Sequence, residues 1–488
     1  MIDAERKSRI QQALRDANLD AVICALPSNV LLLTGYWPIV GNSVALCLRD
    51  GPTLLLAPED ESELASAGFA DSVDTFVPET LQDTRTVCQA VKPHLANAFA
   101  QLKLREARIG IEAADTSQAA SYLAMFLYGH SLRQLILELV PDSTCLAADV
   151  LFHKLKSIKT PSELDRIRQA CAIAQFAFET AAPLLSPELT ENQAAPLFRA
   201  PLSDRNEPEN SVRRCDGFAF CMSGPNSAKA YAAYARTRHR KLQPADLVMI
   251  HCNSYVDGLW TDITRTYTLR PPDRTQQRIF EAVFAAREAA LASIRPGARA
   301  ADVDVATARV MRDRGFANYV KHGTGHGVGF SSMSACSIPR LHQGSTDVLA
   351  PGMVFNVEPA LYLDGYGGVR HCDMVHVTAT GHELLTNFHC SPHSLALEPA
   401  PADSPLRANR AIHSSQLSRR ISFASLRYRL ASLQVTALVS AYRRALRRLH
   451  LRNWRFYFLR NLFGPRSGPA KHIRFSDSLE SEQQWPKL

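Results

Sequence analysis

The sequence lacks the long hydrophobic run that a membrane-spanning helix requires. None of its 488 residues lies in a stretch that approaches the roughly eighteen uninterrupted apolar residues needed to cross a bilayer. The chain opens with MIDAERKSRI and has no apolar core behind it, so a secretory signal is not expected. Its eleven cysteines are scattered without paired spacing, which indicates reduced thiols and not a disulfide framework. These absences predict a cytoplasmic protein.

The charge of the chain is unevenly distributed. Residues 401–488 contain 17 Lys and Arg against 4 Asp and Glu, a net charge of +13. The first 400 residues contain 38 basic and 43 acidic side chains, so the net charge of +8 for the whole chain reflects its tail. Across the chain 46% of residues are hydrophobic and 21% are charged, a composition typical of folded proteins. The length predicts two or three domains.

Residues 1–150 are predicted to form an α/β domain. A helical pattern over residues 3–18 precedes a strand-like run at 21–26, and further strand candidates lie at 43–48 and 53–57. Apolar strands then alternate with helical stretches to about residue 145. This alternation is typical of a sheet covered by helices.

A second domain is predicted over residues 157–390. It begins with a helix for which Thr160 is the N-cap, Pro161 the first helical residue and Glu163 the capping-box partner. Strand candidates then alternate with helical patterns to the end of the domain. The strands are expected at 247–252, 353–357, 374–378 and 381–385, and the helices at 275–294 and 302–314.

The composition changes again after about residue 395. Residues 396–406 are rich in Ala, Pro and Ser, as in a linker, and an Arg-rich helical pattern follows. We predict a basic C-terminal helical extension over 396–488 that is partly disordered. We favour a solvated extension that covers an oligomer partner. Binding to an anionic membrane or to nucleic acid is the alternative that its Arg clusters leave open.

Three segments of the second domain place potential metal ligands at the edges of apolar strands. Residues 246–266 include His251 and Asp262, residues 322–329 include His326, and residues 351–375 include Glu358 and Cys372. A strand edge is where a rigid scaffold can fix such side chains. The glycines on both sides of His326 are expected to let the backbone approach a ligand closely.

These segments carry a resemblance to a known family. Asp-Ile-Thr-Arg-Thr at 262–266, Thr-Gly-His-Gly at 324–327, Val-Glu-Pro at 357–359 and Gly-Gly-Val-Arg at 367–370 occur in order and well spaced. The sequence thereby resembles the superfamily of creatinase, aminopeptidase P, prolidase and methionine aminopeptidase over about residues 5–390. The resemblance implies an α/β creatinase-like N-terminal domain, 1–150, and an α+β pita-bread catalytic domain, 157–390.

The peptidases of this superfamily bind two divalent metal ions through Asp, Asp, His, Glu and Glu. By this resemblance, three ligands are retained, and they are Asp262, His326 and Glu358. His251 stands at the position of the first Asp, and Cys372 stands at the position of the last Glu. Both replacements are residue types that bind metals, so all five are predicted ligands for one or two ions. Imidazole and thiolate are softer than carboxylate, which favours zinc or iron over manganese.

Two further histidines of the family peptidases are missing from this sequence. One follows the ligand His by seven residues, where this chain has Met333. The other precedes the first ligand by about seventeen residues, where this chain has Tyr234. The family uses them to assist the substrate and proton transfer. We therefore expect weak activity on simple Xaa-Pro dipeptides.

The leading hypothesis is a metal-dependent hydrolase of the Xaa-Pro aminopeptidase or prolidase type that cleaves a peptide bond or another C–N bond. Glu358 and His326 are the predicted catalytic residues, with Glu358 moving a proton beside a metal that lowers the pKa of water to about 7. Arg370 is a candidate for binding an anionic group of the substrate. By resemblance to family members that dimerise, a homodimer is expected.

Two alternatives stay open at this point. Creatinase hydrolyses a C–N bond on this fold without a metal, so a non-peptidase hydrolase acting on a small amidine, lactam or ring is one of them. The other is a catalytically degenerate binding protein, in which His251 and Cys372 mark a site that no longer binds a metal.

Overall fold

Residues 3–38, 43–77, 86–113, 130–203, 214–231, 237–332 and 337–397 are described by a computed structural model. The helices of these residues are α1 (Ala4–Asp16), α2 (Pro27–Thr34), α3 (Ser62–Ser66), α4 (Val87–Gln101), α5 (His130–Leu139), α6 (Asp149–Ser157), α7 (Pro161–Ala181), α8 (Glu191–Arg199), α9 (Arg274–Ser293), α10 (Ala300–Asp313) and α11 (Pro392–Leu395). Short 3₁₀ helices occur at Glu59–Glu61, Ala182–Leu184, Ala200–Leu202, Gly224–Lys229 and Ala317–Tyr319.

The strands fall into an N-terminal and a C-terminal group. The N-terminal strands are β1 (Ala21–Cys24), β2 (Val44–Leu48), β3 (Thr53–Pro58), β4 (Ser72–Phe76), β5 (Arg108–Ile111) and β6 (Thr144–Ala147). The C-terminal strands are β7 (Cys215–Ser223), β8 (Leu247–Val256), β9 (Leu259–Trp260), β10 (Thr264–Thr268), β11 (Gly325–His326), β12 (Arg340–Leu341), β13 (Val354–Val357), β14 (Ala360–Leu363), β15 (Gly367–Arg370), β16 (Asp373–Val377) and β17 (His382–Leu384).

The N-terminal strands form one mixed sheet in the order β4-β3-β2-β1-β5-β6. Strand β2 pairs antiparallel with both β1 and β3, whereas β4, β5 and β6 join in parallel. This sheet confirms the predicted α/β class. The run predicted at 21–26 ends two residues early, because Pro27 begins α2. The buried carboxylate of Glu112 accepts hydrogen bonds from the backbone N–H groups of Ala25 and Leu26 and from the amide of Asn29.

The C-terminal strands form small antiparallel sheets that surround the predicted site. Strand β8 lies between β7 and β10, β16 lies between β13 and β17, and β14 pairs with β15. Helix α7 begins as predicted, since Thr160 caps it and forms a capping box with Glu163. The predicted helices at 275–294 and 302–314 correspond to α9 and α10.

The two segments contribute to one common hydrophobic cluster. Leu14 and Val22 belong to the same buried cluster as Ile167 and Phe178. Helix α6 spans the sequence boundary predicted between the two domains, so their division at residues 150–157 stays a prediction. Within the described ranges no helix has both the length and the apolar character that crossing a membrane demands. The predicted basic extension lies outside the described residues from 398 onward.

Candidate metal centre

One row of paired residues holds two of the predicted ligands, one on each side of Thr264. In the antiparallel register His251 of β8 lies between Phe220 of β7 and Thr264 of β10. Thr264 in turn forms a β-bridge with Cys372, which lies between β15 and β16. His251 and Cys372 therefore flank Thr264 across the strands, although they are far apart in the sequence.

A second group of strands supplies His326 and Glu358. His326 ends β11, and Glu358 follows β13 directly. Gly325 fits here because a Cβ atom on it would lie 2.0 Å from the carbonyl oxygen of Asn356. Gly325 thus makes room for the backbone of β13 at residue 356, and an approach of the backbone to a ligand stays a prediction.

Asp262 lies between these two groups, and its two carboxylate oxygens have different neighbours. Oδ2 is 3.1 Å from Nδ2 of Asn356 and 3.4 Å from Nε2 of His326. Oδ1 is 3.7 Å from Nδ1 of His251 and 3.8 Å from the sulfur of Cys372. Burial opposes ionisation of Asp262, but the hydrogen bond with His326 and the nearby positive charges lower its pKa overall. Asp262 is therefore an ionised carboxylate inside the protein.

Three predicted ligands converge closely. One ligand atom from each of Asp262, Glu358 and Cys372 lies within 4.8 Å of the other two. Nε2 of His326 completes the group, since it is 4.0 Å from Oε1 of Glu358. The structure thus brings these four residues together at one place. Their assignment as metal ligands stays a prediction.

The ring of His326 is oriented in the way that a metal-binding histidine requires. Its Nδ1 donates to the carbonyl of Gly327 over 3.1 Å, so Nε2 faces the carboxylates of Asp262 and Glu358. Burial alone would lower the pKa of His326, but the hydrogen bond to Asp262 and the charge of Glu358 raise it to about 9. The position beside Nε2 therefore favours a cation, either a proton or a divalent metal ion. This donor set fits a metal.

Cys372 holds its proton in the absence of a metal. The side chain is fully buried, and its thiol donates to the backbone carbonyl of Asp262 over 3.0 Å. Burial, with the negative charges of Asp262 and Glu358, raises the pKa of the Cys372 thiol well above its usual range. A thiophilic metal at this place would have to displace that proton.

His251 has a different environment from the other four predicted ligands. Its Nδ1 is 3.0 Å from Oγ1 of Thr264 and 3.2 Å from Nη2 of Arg370, while Nε2 is 3.4 Å from Nδ2 of Asn253. The ring centroid of Phe220 is 6.4 Å from that of His251, and the two rings are nearly parallel. Burial, with the charge of Arg370, lowers the pKa of His251 to about 3 although Asp262 opposes this. His251 is therefore neutral.

Arg370, the predicted substrate-binding residue, has protein partners. It is 5% exposed, and its Nε donates to Oγ1 of Thr264 while Nη2 approaches His251. The negative groups around it, Glu358 and Asp262 among them, raise its pKa against the effect of burial. Contact with a substrate stays a prediction for Arg370.

A cavity of about 210 Å³ lies next to Glu358. It is also lined by His322 and His342 and by residues of α10. His322 hydrogen bonds through Nε2 to the hydroxyl of Tyr362. A small molecule in this cavity would lie beside the proposed metal centre.

Sequence reasoning missed the two asparagines of the site. Asn253 follows His251 by two residues and Asn356 precedes Glu358 by two, and both are fully buried. Alternate residues of a strand share a face, and this spacing could have identified both. The predicted positions of the missing histidines, Tyr234 and Met333, lie outside the described residues.

Comparisons with known proteins agree with the fold. Residues 165–379 match the profile of Metallopeptidase family M24, and residues 6–126 match that of the Creatinase/Prolidase N-terminal domain. The chain belongs to the creatinase, aminopeptidase P and prolidase superfamily with the pita-bread fold. The resemblance inferred from the sequence is therefore confirmed.

Several individual proteins are similar to this chain. The Mycobacterium tuberculosis protein named "Probable dipeptidase PepE" is 32% identical over 255 residues, which are 52% of this chain and 64% of that protein. The chain thus spans just under two thirds of that relative. The Xaa-Pro dipeptidase of Pyrococcus furiosus is 26% identical over 388 residues, covering 78% of this chain and 97% of the relative.

Solved structures show the same fold. The prolidase from Pyrococcus horikoshii has a TM-score of 0.63 at 24% identity and covers 78% of this chain and 98% of its own. The N-terminal domain of the FACT complex subunit SPT16 from chickpea has a TM-score of 0.62 at 13% identity, covering 81% of this chain and all (100%) of its own. Proteins of different names share this fold, so the fold by itself does not determine the activity.

Proposed function

We propose that this protein is a metal-dependent hydrolase that cleaves a peptide bond or another C–N bond. The observation that carries the proposal is the convergence of Asp262, Glu358 and Cys372 within 4.8 Å, with Nε2 of His326 facing the two carboxylates. The family match and the relatives named as dipeptidases support it. We further propose that the substrate is an Xaa-Pro peptide and that the protein is a homodimer in the cytoplasm.

Each side chain has a distinct task in this proposal. Asp262, His326, Glu358 and Cys372 would hold a divalent ion, which supplies a polarised substrate carbonyl and a more acidic water molecule. Asn356 fixes the carboxylate of Asp262 by its hydrogen bond. Glu358 borders the cavity, and in this proposal its carboxylate takes a proton and returns it to the leaving nitrogen.

Two other functions are compatible with parts of the site. A creatinase-like hydrolase of a small C–N-bonded molecule would use the same cavity, and its volume of about 210 Å³ suits a compact substrate. A binding protein without chemistry would explain the two exchanged ligand positions. We favour the hydrolase because His326 keeps the ring orientation of a metal ligand through Gly327.

Hydrolysis and its dependence on metal test the proposal together. Full-length protein would be depleted of metal with a chelator, reloaded with zinc, iron(II) or manganese, and assayed against Xaa-Pro dipeptides, other dipeptides, lactams and amidines. We expect activity that is lost on depletion, restored by a metal and abolished by Asp262→Asn. Asp246→Asn is the matched control, because this carboxylate binds Arg240 instead of the site. A rate of hydrolysis that is unchanged both by chelation and by Asp262→Asn would contradict the proposal.

A further inference from the structure

We infer that this centre binds one divalent cation per chain, and that the exchange at His251 closes the place beside Oδ1 of Asp262 to a second ion. The inference rests on the proposed function and concerns how many ions the same site accepts. It follows from the neighbours of the two carboxylate oxygens of Asp262, which differ in whether they present electron pairs or hydrogen-bond donors to a cation.

The Oδ2 side of Asp262 offers electron pairs. His326 directs Nε2 toward this oxygen at 3.4 Å and toward Oε1 of Glu358 at 4.0 Å. Its other nitrogen is engaged by the carbonyl of Gly327. Two carboxylates and one imidazole nitrogen thus face a common point. The sulfur of Cys372 lies 3.8 Å from Oδ1 of Asp262, and one ligand atom each of Cys372, Asp262 and Glu358 lie within 4.8 Å of one another, so these residues and His326 together can satisfy a single ion.

Beside Oδ1, the surroundings of His251 offer donors of hydrogen bonds. The guanidinium of Arg370 approaches Nδ1 of His251 at 3.2 Å, and Nδ2 of Asn253 approaches Nε2 at 3.4 Å. Both nitrogens of His251 therefore have an N–H group nearby, and Nδ1 also has the hydroxyl of Thr264 at 3.0 Å. The amide of Asn253 cannot be turned over without loss, because its Oδ1 accepts from the backbone N–H of Ile263 at 2.8 Å. A metal at either nitrogen of His251 would have to displace a donor.

The charges of the site lead to the same conclusion. The described centre has two carboxylates, Asp262 and Glu358, and one nearby guanidinium, Arg370. Coordination would convert Cys372 to a thiolate and add a third negative charge. One divalent ion is neutralised by these groups, whereas a second ion would leave a buried excess of positive charge next to Arg370. The exchange at His251 thus removes one of the negative charges on which a second ion depends.

The sulfur of Cys372 also defines the class of the single ion. A thiolate combined with imidazole and carboxylate oxygens selects zinc and similar thiophilic ions over manganese. The thiol is 3.0 Å from the carbonyl oxygen of Asp262, so binding would exchange an S–H hydrogen bond for a metal–sulfur bond and release the proton to solvent.

Equilibrium dialysis of the full-length protein against zinc measures the number of ions. Asp262→Ala removes the residue that faces both sides, so the zinc retained by this variant reports adventitious binding, for example by histidines and cysteines outside the centre. We expect wild type to bind one zinc ion per chain more than Asp262→Ala. The double variant His251→Asp and Cys372→Glu is expected to bind two manganese ions per chain more than Asp262→Ala, because it restores two carboxylates.

A titration with cobalt(II) gives a readout that needs no variant. The visible absorption of the bound ion should saturate at one equivalent, with a sulfur-to-metal charge-transfer band in the near ultraviolet. Two equivalents in wild type would overturn the inference and leave the proposed hydrolase intact. No specific ion in wild type would overturn the metal-dependent function itself. One equivalent without a sulfur band would remove Cys372 from the centre and with it the selectivity for zinc.

Discussion

Asn356 donates a hydrogen bond from Nδ2 to Oδ2 of Asp262 over 3.1 Å. The same side chain accepts the backbone N–H of His326 at Oδ1 over 2.6 Å. One buried amide therefore sets both the direction of a carboxylate and the place of the strand that carries a histidine. Groups that orient ligands in this manner commonly change metal affinity about 10–100-fold when they are removed.

The first prediction concerns this amide. Asn356→Ala should weaken zinc binding by about 10–100-fold, because Asp262 loses its fixed orientation. Asn226→Ala is a matched control, since that amide donates to Glu191 outside the centre. Calorimetric titration of both variants would measure the effect. Equal zinc affinity in Asn356→Ala and wild type would show that Asn356 has no part in the metal centre.

The second prediction concerns the missing histidines. Wild type should hydrolyse Xaa-Pro dipeptides slowly, because general acid–base assistance of about 10²–10⁴-fold is absent at Tyr234 and Met333. The double variant Tyr234→His and Met333→His should raise kcat toward the family level. Steady-state assays with one dipeptide series compare the two proteins. Rapid turnover by wild type would mean that other residues of this chain supply the assistance.

The third prediction concerns Glu112, which stabilises the N-terminus of α2. Burial raises the pKa of this carboxyl from 4.5 to about 7, although the N–H groups of Ala25 and Leu26 and the amide of Asn29 oppose the shift. Because the pKa is higher in the folded chain, the contribution of Glu112 to stability is full below about pH 4.5 and is lost as the pH rises to about 7. The loss is on the order of 3 kcal/mol.

Glu112→Gln cannot ionise, so its free energy of unfolding should fall less than that of wild type over this pH range. Urea unfolding at a series of pH values between 4 and 8 would measure the difference. Parallel curves for the two proteins would show that Glu112 does not titrate in this range.

The fourth prediction concerns the ion pair between α1 and α7. Nε of Arg6 donates to Glu163 over 2.8 Å, and both side chains are buried. Arg6→Met should lower the free energy of unfolding by about 3–5 kcal/mol, because it leaves Glu163 buried without its partner. Lys7 lies on the same helix as Arg6 and forms an exposed ion pair with Asp71. Lys7→Met removes this pair and should lower the free energy of unfolding by about 1 kcal/mol or less. Similar losses in both variants would contradict the importance of the buried pair.

The local pattern of the sequence predicted much of the fold. Thr160, Pro161 and Glu163 identified the start of α7, because a capping box depends on residues three positions apart. The apolar periodicity also gave α9 and α10 within two residues of their ends. Helix α2 was harder to predict, since its short apolar run is buried throughout and its N-terminus is stabilised by Glu112, some 80 residues further along the chain.

The site was predictable in its residues but not in their environment. Motif spacing identified Asp262, His326 and Glu358, which the structure brings together. It could not reveal that Arg370 lies against His251, because that contact depends on the packing of β15 against β8. Arg265 is a similar case: it is fully buried and donates to the carbonyl of Cys372 and to Asp373, which joins two segments distant in sequence.

Zinc X-ray absorption on wild type and Cys372→Ser tests the central claim most directly. We expect a single zinc environment with one sulfur at about 2.3 Å and nitrogen or oxygen donors at about 2.0–2.2 Å. The sulfur shell should vanish in Cys372→Ser, while the analogous Cys390→Ser should leave it unchanged. A wild-type protein that retains no zinc, or zinc without any sulfur neighbour, would contradict the centre formed by Asp262, His326, Glu358 and Cys372.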